Sequence, residues 1–146
     1  MAVPEKEYNK MAKKASPPSP KAINIIKAFL IGGLICTLGE GLFFIFRRFG
    51  VSEDNARTLV SITLIVITAI LTTLGVFDKI AKHAGAGTIV PITGFANSIV
   101  SPALEFSTEG KILGTGAQMF KIAGPVIVYG SAAAVIYGFI YWIIQF

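Results

Sequence analysis

The chain has 146 residues, of which 53% are hydrophobic and only 14% charged, and its mean hydropathy is +0.70. A soluble domain carries about 25% charged residues, so this chain lacks the charge to cover a water-facing surface. Composition therefore argues against a soluble globular enzyme and against a disordered protein. One cysteine, Cys36, leaves no intramolecular disulfide framework, and one histidine, His83, leaves no histidine-based metal site or triad within one chain. The net charge of +5 is unevenly placed, with Lys6, Lys10, Lys13, Lys14 and Lys21 all ahead of the first apolar stretch. A basic arm beside a long apolar stretch reads as an orientation signal and an attraction to anionic lipid, not as a nucleic-acid surface.

Residues 1–21 form that polar arm, which ends in Ser16-Pro17-Pro18-Ser19-Pro20. Prolines favour extended backbone and block helix continuation, so the arm is expected to act as a tether. It has no short apolar core with a small-residue cleavage site, as a secretory signal would. The first hydrophobic segment, Ala22–Phe46, is closed by Arg47 and Arg48 and is long enough to cross the hydrocarbon with tilt. Lys27 near its start can snorkel to the headgroups.

The second segment, Thr58–Phe77, carries no charge. Ser52, Glu53, Asp54 and Asn55 before it supply helix-start chemistry, and Asp78, Lys79 and Lys82 follow it. Ala84–Leu104 is also uncharged and long enough to cross, but it contains Gly85, Gly87, Pro91, Gly94 and Pro102, a poor recipe for one straight helix. Ile112–Phe120 is a further uncharged stretch with Gly114 and Gly116, too short to span and a candidate re-entrant segment. The last segment, Ile122–Phe146, is uncharged throughout, with Gly124-Pro125 near its start and Tyr137, Tyr141 and Trp142 near its end, as an aromatic interface belt would. The expectation is an all-α, multi-pass membrane protein of about four segments, with a broken or re-entrant central region and a cytoplasmic N-terminus.

Small residues recur at helical spacing in three segments: Gly32, Cys36 and Gly39; Ser61, Thr68, Thr72 and Gly75; Gly130, Ala134 and Gly138. Such seams let membrane helices approach closely. They point to packing and to association with further copies.

Few residues offer chemistry. Glu40 lies inside an apolar run, where a carboxylate usually faces a cavity or a partner; pairing with Arg47 is the plainer reading. Glu105, Glu109, Lys111 and Lys121 flank the short 112–120 segment and could meet a charged solute; a solvated loop is the plainer reading. Asn97 and Ser98, next to Pro91 and Thr93, can cap a broken helix or, with freed backbone groups, bind a polar solute. Gly85-Ala86-Gly87 lacks the third glycine of a dinucleotide fingerprint, and no phosphate-binding loop, HExxH or GxSxG motif occurs. No cofactor or metal is expected, and an enzyme is the least supported class.

Several stretches carry a resemblance. They are Lys27-Ala-Phe-Leu-Ile-Gly-Gly-Leu-Ile-Cys36, Ala84-Gly-Ala-Gly87, Val90-Pro-Ile-Thr-Gly-Phe-Ala-Asn-Ser98 and Ala103-Leu-Glu105, then Glu109-Gly110, Met119-Phe-Lys-Ile-Ala-Gly124 and Val126-Ile127. From Lys27 onward the chain resembles the SpoVA membrane proteins of spore-forming Firmicutes, of the SpoVAC/SpoVAEB type, and the Met119-Phe120-Lys121 stretch favours the AC branch. Glu40 stands where the family carries glutamine, and Pro102 where a small helix-compatible residue is expected. The resemblance implies a protein of the spore inner membrane that helps move dipicolinic acid with calcium during sporulation and germination. It also implies gating by membrane tension and work alongside other SpoVA proteins. The leading reading is thus a channel or transport subunit; the alternative is a non-conducting subunit that scaffolds a partner's pore.

Overall fold

The computed structural model describes residues 4–15 and 21–145. Of the arm expected to act as a tether, 1–21, residues 1–3 and the Ser16–Pro20 stretch lie outside the described residues. The elements are α1 (Glu5–Ala15), α2 (Lys21–Arg48), α3 (Glu53–Thr73), α4 (Phe77–Ala84), α5 (Ala86–Ile89), α6 (Ile92–Glu105), a π-helical turn (Lys111–Gly116) and α7 (Ala117–Gln145). No strand occurs among the described residues, as expected of an all-α protein. Residues 5–15 of the polar arm form a helix, with Glu5 and Glu7 in its first turn, where acids complement the helix dipole.

Helices α2 and α3 form an antiparallel hairpin. Its turn uses Gly50 at φ 82° and a hydrogen bond of 2.9 Å from Arg47 Nη1 to the Val51 carbonyl. Glu53 and Asp54 occupy the first turn of α3. Arg57 reaches back to Glu53 at 2.7 Å and lies 5.1 Å from the centre of the Phe43 ring, an arrangement that suits a cation over an aromatic face. Gly39 is buried, and an added Cβ there would touch Leu64 at 3.6 Å and Val60 at 3.7 Å, so the two spans pack closely at this level.

The second span ends earlier than its hydropathy suggests. Helix α3 stops at Thr73, not Phe77. Gly75 takes φ 67°, its N–H bonds the Thr72 carbonyl at 2.9 Å, and the Val76 N–H bonds the Leu71 carbonyl at 2.9 Å. This paired pattern closes a helix on a left-handed glycine. Gly75 therefore terminates α3.

Among the described residues three helices, not four, are long and apolar enough to span: Ala22–Arg48, Glu53–Thr73 and Lys111–Gln145. The segment expected at 84–104 is divided by Gly85 at φ 51° and by extended backbone at Pro91. The helix beyond the break, α6, has 14 residues, or about 21 Å of helix against about 30 Å of hydrocarbon. The expected re-entrant piece at 112–120 is also corrected. It is a π turn continuous with α7, so Pro125 lies inside a helix and not at its start. The turn is held by Thr115, whose hydroxyl donates to the Phe106 carbonyl at 3.0 Å.

The core consists of small side chains. Ala56, Ala84, Ala96 and Ala123 are buried with Thr68, Thr72, Thr88 and Thr93, and Phe77 is the one large buried hydrophobic side chain among the described residues. Large aliphatic side chains such as Leu34, Leu38, Ile67 and Ile70 face outward. A bundle in lipid gains nothing by hiding leucine from an equally apolar solvent, so close backbone approach drives packing instead. Helix α3 contacts both α2 and α6, and α6 contacts α7. From Val126 to Gln145, α7 is exposed on every face.

Candidate functional site

The break between α5 and α6 shapes the polar part of the molecule. Gly87 is buried where its backbone crosses α2; an added Cβ would lie 2.9 Å from the Ala28 Cα. Gly32 completes the crossing, since its own Cβ would meet the Gly87 carbonyl at 3.1 Å. Gly94 permits the next approach, with an added Cβ 2.6 Å from the Ile89 carbonyl oxygen. These three glycines let α5 fold back against both α2 and the start of α6.

Beyond the break, α6 and α7 enclose a groove of about 710 Å³, closed at one end by α4 and α5. Pro91, Gly94, Asn97, Ser98, Ser101, Pro102 and Glu105 line one wall, and Ile122 and Val126 the other. The size is that of a small-molecule site. Thr72 of α3 donates its hydroxyl to Asn97 Oδ1 at 2.9 Å. That bond holds the amide oxygen against α3, while the amide NH2 group carries two further donors. Ser98 donates its own hydroxyl to the Phe95 carbonyl at 2.7 Å. Pro102, one turn on, has no N–H to give to the Ser98 carbonyl. The wall thus offers amide donors, a carbonyl freed by proline, the Ser101 hydroxyl and, at its far end, the Glu105 carboxylate.

The structure brings Pro91, Asn97, Ser98 and Glu105 of the sequence-derived set together here. Thr93 is on α6 too but lines a different groove, between α2 and α3. Glu109 lies in the connection to the π turn and Lys111 begins that turn; both are exposed, as is Lys121 on α7, and none of the three lines the groove. Glu40 is exposed on α2. Its charge acts on Arg57, which places it beside the charged cluster at the hairpin end. Ser101 carries no signal of its own in the sequence, but it follows Asn97 by one helical turn, a spacing that marks a shared face. Thr72, a packing residue by its spacing, is the hydrogen-bond partner of Asn97.

Of the three small-residue seams, Gly32 and Gly39 on α2 and Thr68 and Thr72 on α3 meet other helices within the chain. Cys36 is exposed. Gly130, Ala134 and Gly138 are exposed on α7, and nothing lies within 4 Å of an added Cβ at Gly130 or Gly138. Among the described residues no group of three or more potential metal ligands gathers.

Comparison with known proteins places the chain. No solved structure matches it. The stage V sporulation protein AC of Bacillus subtilis (strain 168) is 47% identical over 137 residues, which cover 93% of this chain and 91% of that protein. The family model described as SpoVAC/SpoVAEB sporulation membrane protein matches residues 24–140, a stretch that holds most of each span and the whole of the break. The chain is a multi-pass membrane protein and belongs to the SpoVAC/SpoVAEB family of sporulation membrane proteins.

Proposed function

We propose that this protein is a channel or transport subunit that passes dipicolinic acid with calcium across the spore inner membrane, its N-terminus on the cytoplasmic side. The observation that supports this reading most is the polar wall of α6: amide donors, a freed carbonyl, a hydroxyl and a carboxylate in one groove of an otherwise apolar domain. Broken helices supply such groups in transport sites, because they free backbone and side-chain polarity at membrane depth. The Asn97 amide suits a carboxylate of the solute. The Glu105 carboxylate suits its calcium, a cation that takes oxygen ligands. Weak contacts of this kind favour passage over retention.

Reconstitution of the pure chain in liposomes loaded with dipicolinate tests the reading. Efflux from this protein alone supports a conducting subunit, and efflux that rises with membrane tension supports tension gating. Silence alone, with release restored only by other SpoVA proteins, favours the scaffold. Glu105→Gln removes the carboxylate charge and is expected to slow release of the calcium complex severalfold while sparing release of the sodium salt.

The groove is open along one side, so a conduit requires neighbouring subunits. We place the contact on the exposed Gly130, Ala134 and Gly138 stripe of α7, in association with further copies or with other SpoVA-family proteins. Ala134→Phe is expected to shift the purified protein toward monomer by at least tenfold in dissociation constant, or about 1.4 kcal/mol, as read by single-molecule photobleaching in lipid. Unchanged subunit counts would place the contact elsewhere.

A further inference from the structure

A second groove lies between α2 and α3, on the other side of α6 from the polar wall. It has a volume of about 430 Å³ and is lined by Ile31, Leu34, Leu38, Ile45, Ile67 and other apolar side chains. Leu34, Leu38, Ile45 and Ile67 are also exposed, so the groove opens sideways into the surroundings of two membrane spans. Thr93 lines it at the α4–α5 end. The side chain is 6% exposed, and its hydroxyl has no hydrogen-bond partner.

The cause of that orphan is local. Thr37, Thr63, Thr68 and Thr73 each donate to the carbonyl four residues back, at 2.7–2.9 Å. For Thr93 the corresponding residue is Ile89, which belongs to α5 on the far side of the break at Pro91. The usual internal partner is therefore out of line, and a buried hydroxyl left unpaired costs stability unless something else bonds to it.

We propose that this groove holds one acyl chain of an anionic phospholipid, with the chain's ester carbonyl accepting from the Thr93 hydroxyl. From Ile31 to Ile45 the α2 wall runs about 21 Å, parallel to a lipid chain in the hydrocarbon. A helix about 10–12 Å wide would displace about 1,200 Å³ over about 15 Å of length, far more than the groove holds; an acyl chain is slender enough. The polar end is also suited to a headgroup. Phe77 and Ile80 of α4 line the groove, while Lys79 and Lys82 are exposed on the same helix, with Asp78 and His83. A short helix that is apolar on one face and basic on the other sits at the headgroup level and favours anionic lipid. An occupied groove couples the α2–α3 pair to the bilayer.

The test uses the full chain in vesicles of phosphatidylglycerol and phosphatidylethanolamine, the former carrying a photoactivatable diazirine on one acyl chain. Crosslinked residues are mapped by mass spectrometry. Label is expected to concentrate about fivefold on Leu34, Leu38 and Ile67 over Val128 and Val135 of α7, which are at least as exposed. Thr93→Val should lower groove labelling about fivefold, the worth of one neutral hydrogen bond, and Thr93→Ser should restore it. Leu38→Trp, which fills the groove, should abolish the enrichment. Equal labelling of groove and α7, an unchanged pattern in Thr93→Val, or groove residues shielded by and crosslinked to a second copy would each overturn the proposal. Because the readout is lipid occupancy and not flux, its failure leaves the transport reading standing.

Discussion

Gly94→Ala is expected to destabilise the protein by about 2–3 kcal/mol, the upper range for forcing a methyl group into a packed site. The added Cβ would lie 2.6 Å from the Ile89 carbonyl oxygen and 2.7 Å from its Cα, both backbone atoms that cannot rotate away. Gly87→Ala should cost as much, since its Cβ would meet the Ala28 backbone at 2.9 Å. The sign is the informative part. Alanine is worth about 1 kcal/mol more than glycine in an unhindered helix, and Gly33, on α2 with nothing within 4 Å of an added Cβ, supplies that control. Detergent-titrated unfolding followed by circular dichroism should show loss for Gly87→Ala and Gly94→Ala and a small gain for Gly33→Ala. A gain at Gly94 would mean that α5 does not fold back as described.

Those same glycines show how far the sequence could be read. Hydropathy marked the spans because a long charge-free run has few uses other than crossing lipid, and Pro91 marked the break because a proline ring cannot follow a helical residue without strain. Hydropathy could not place the end of α3. Leu74-Gly75-Val76 is as apolar as what precedes it, and only the left-handed turn at Gly75 reverses the chain. Nor could it join 112–120 to 122–146, because Gly114 and Gly116 look like punctuation. In the structure an added Cβ at Gly114 would lie 2.6 Å from the Glu109 carbonyl, so the glycine is there for close approach and the helix runs on. The groove was half legible. Asn97, Ser101 and Glu105 advance about 40° per step in one direction round the axis, and Thr93 lies one such step the other way from Asn97. That small rotation carries it across the edge of α6 into the other groove. Lys111 and Lys121 do not line the groove, because nearness in sequence to a break does not fix which face of α7 Lys121 occupies.

Asn97→Asp is expected to slow dipicolinate efflux about tenfold, equivalent to about 1.4 kcal/mol in the barrier, with little change in fold. The substitution is nearly isosteric and keeps a side-chain oxygen to accept from Thr72 at the present 2.9 Å. It replaces the two donors of the amide with a carboxylate, which repels a dianion where the amide attracts it. Two companions separate this from a structural effect. Thr72→Val removes the buried hydroxyl and its bond but leaves the amide in the groove, so it should lower stability by about 1 kcal/mol and change flux little. Asn97→Leu removes both functions at once and orphans the Thr72 hydroxyl, so it should lose flux and stability together. Liposome efflux at matched protein density, paired with unfolding of the same preparations, reads both quantities. If Asn97→Asp conducts at the parent rate while folding normally, the amide does not meet the solute, and its bond to Thr72 serves only to pin α6 against α3.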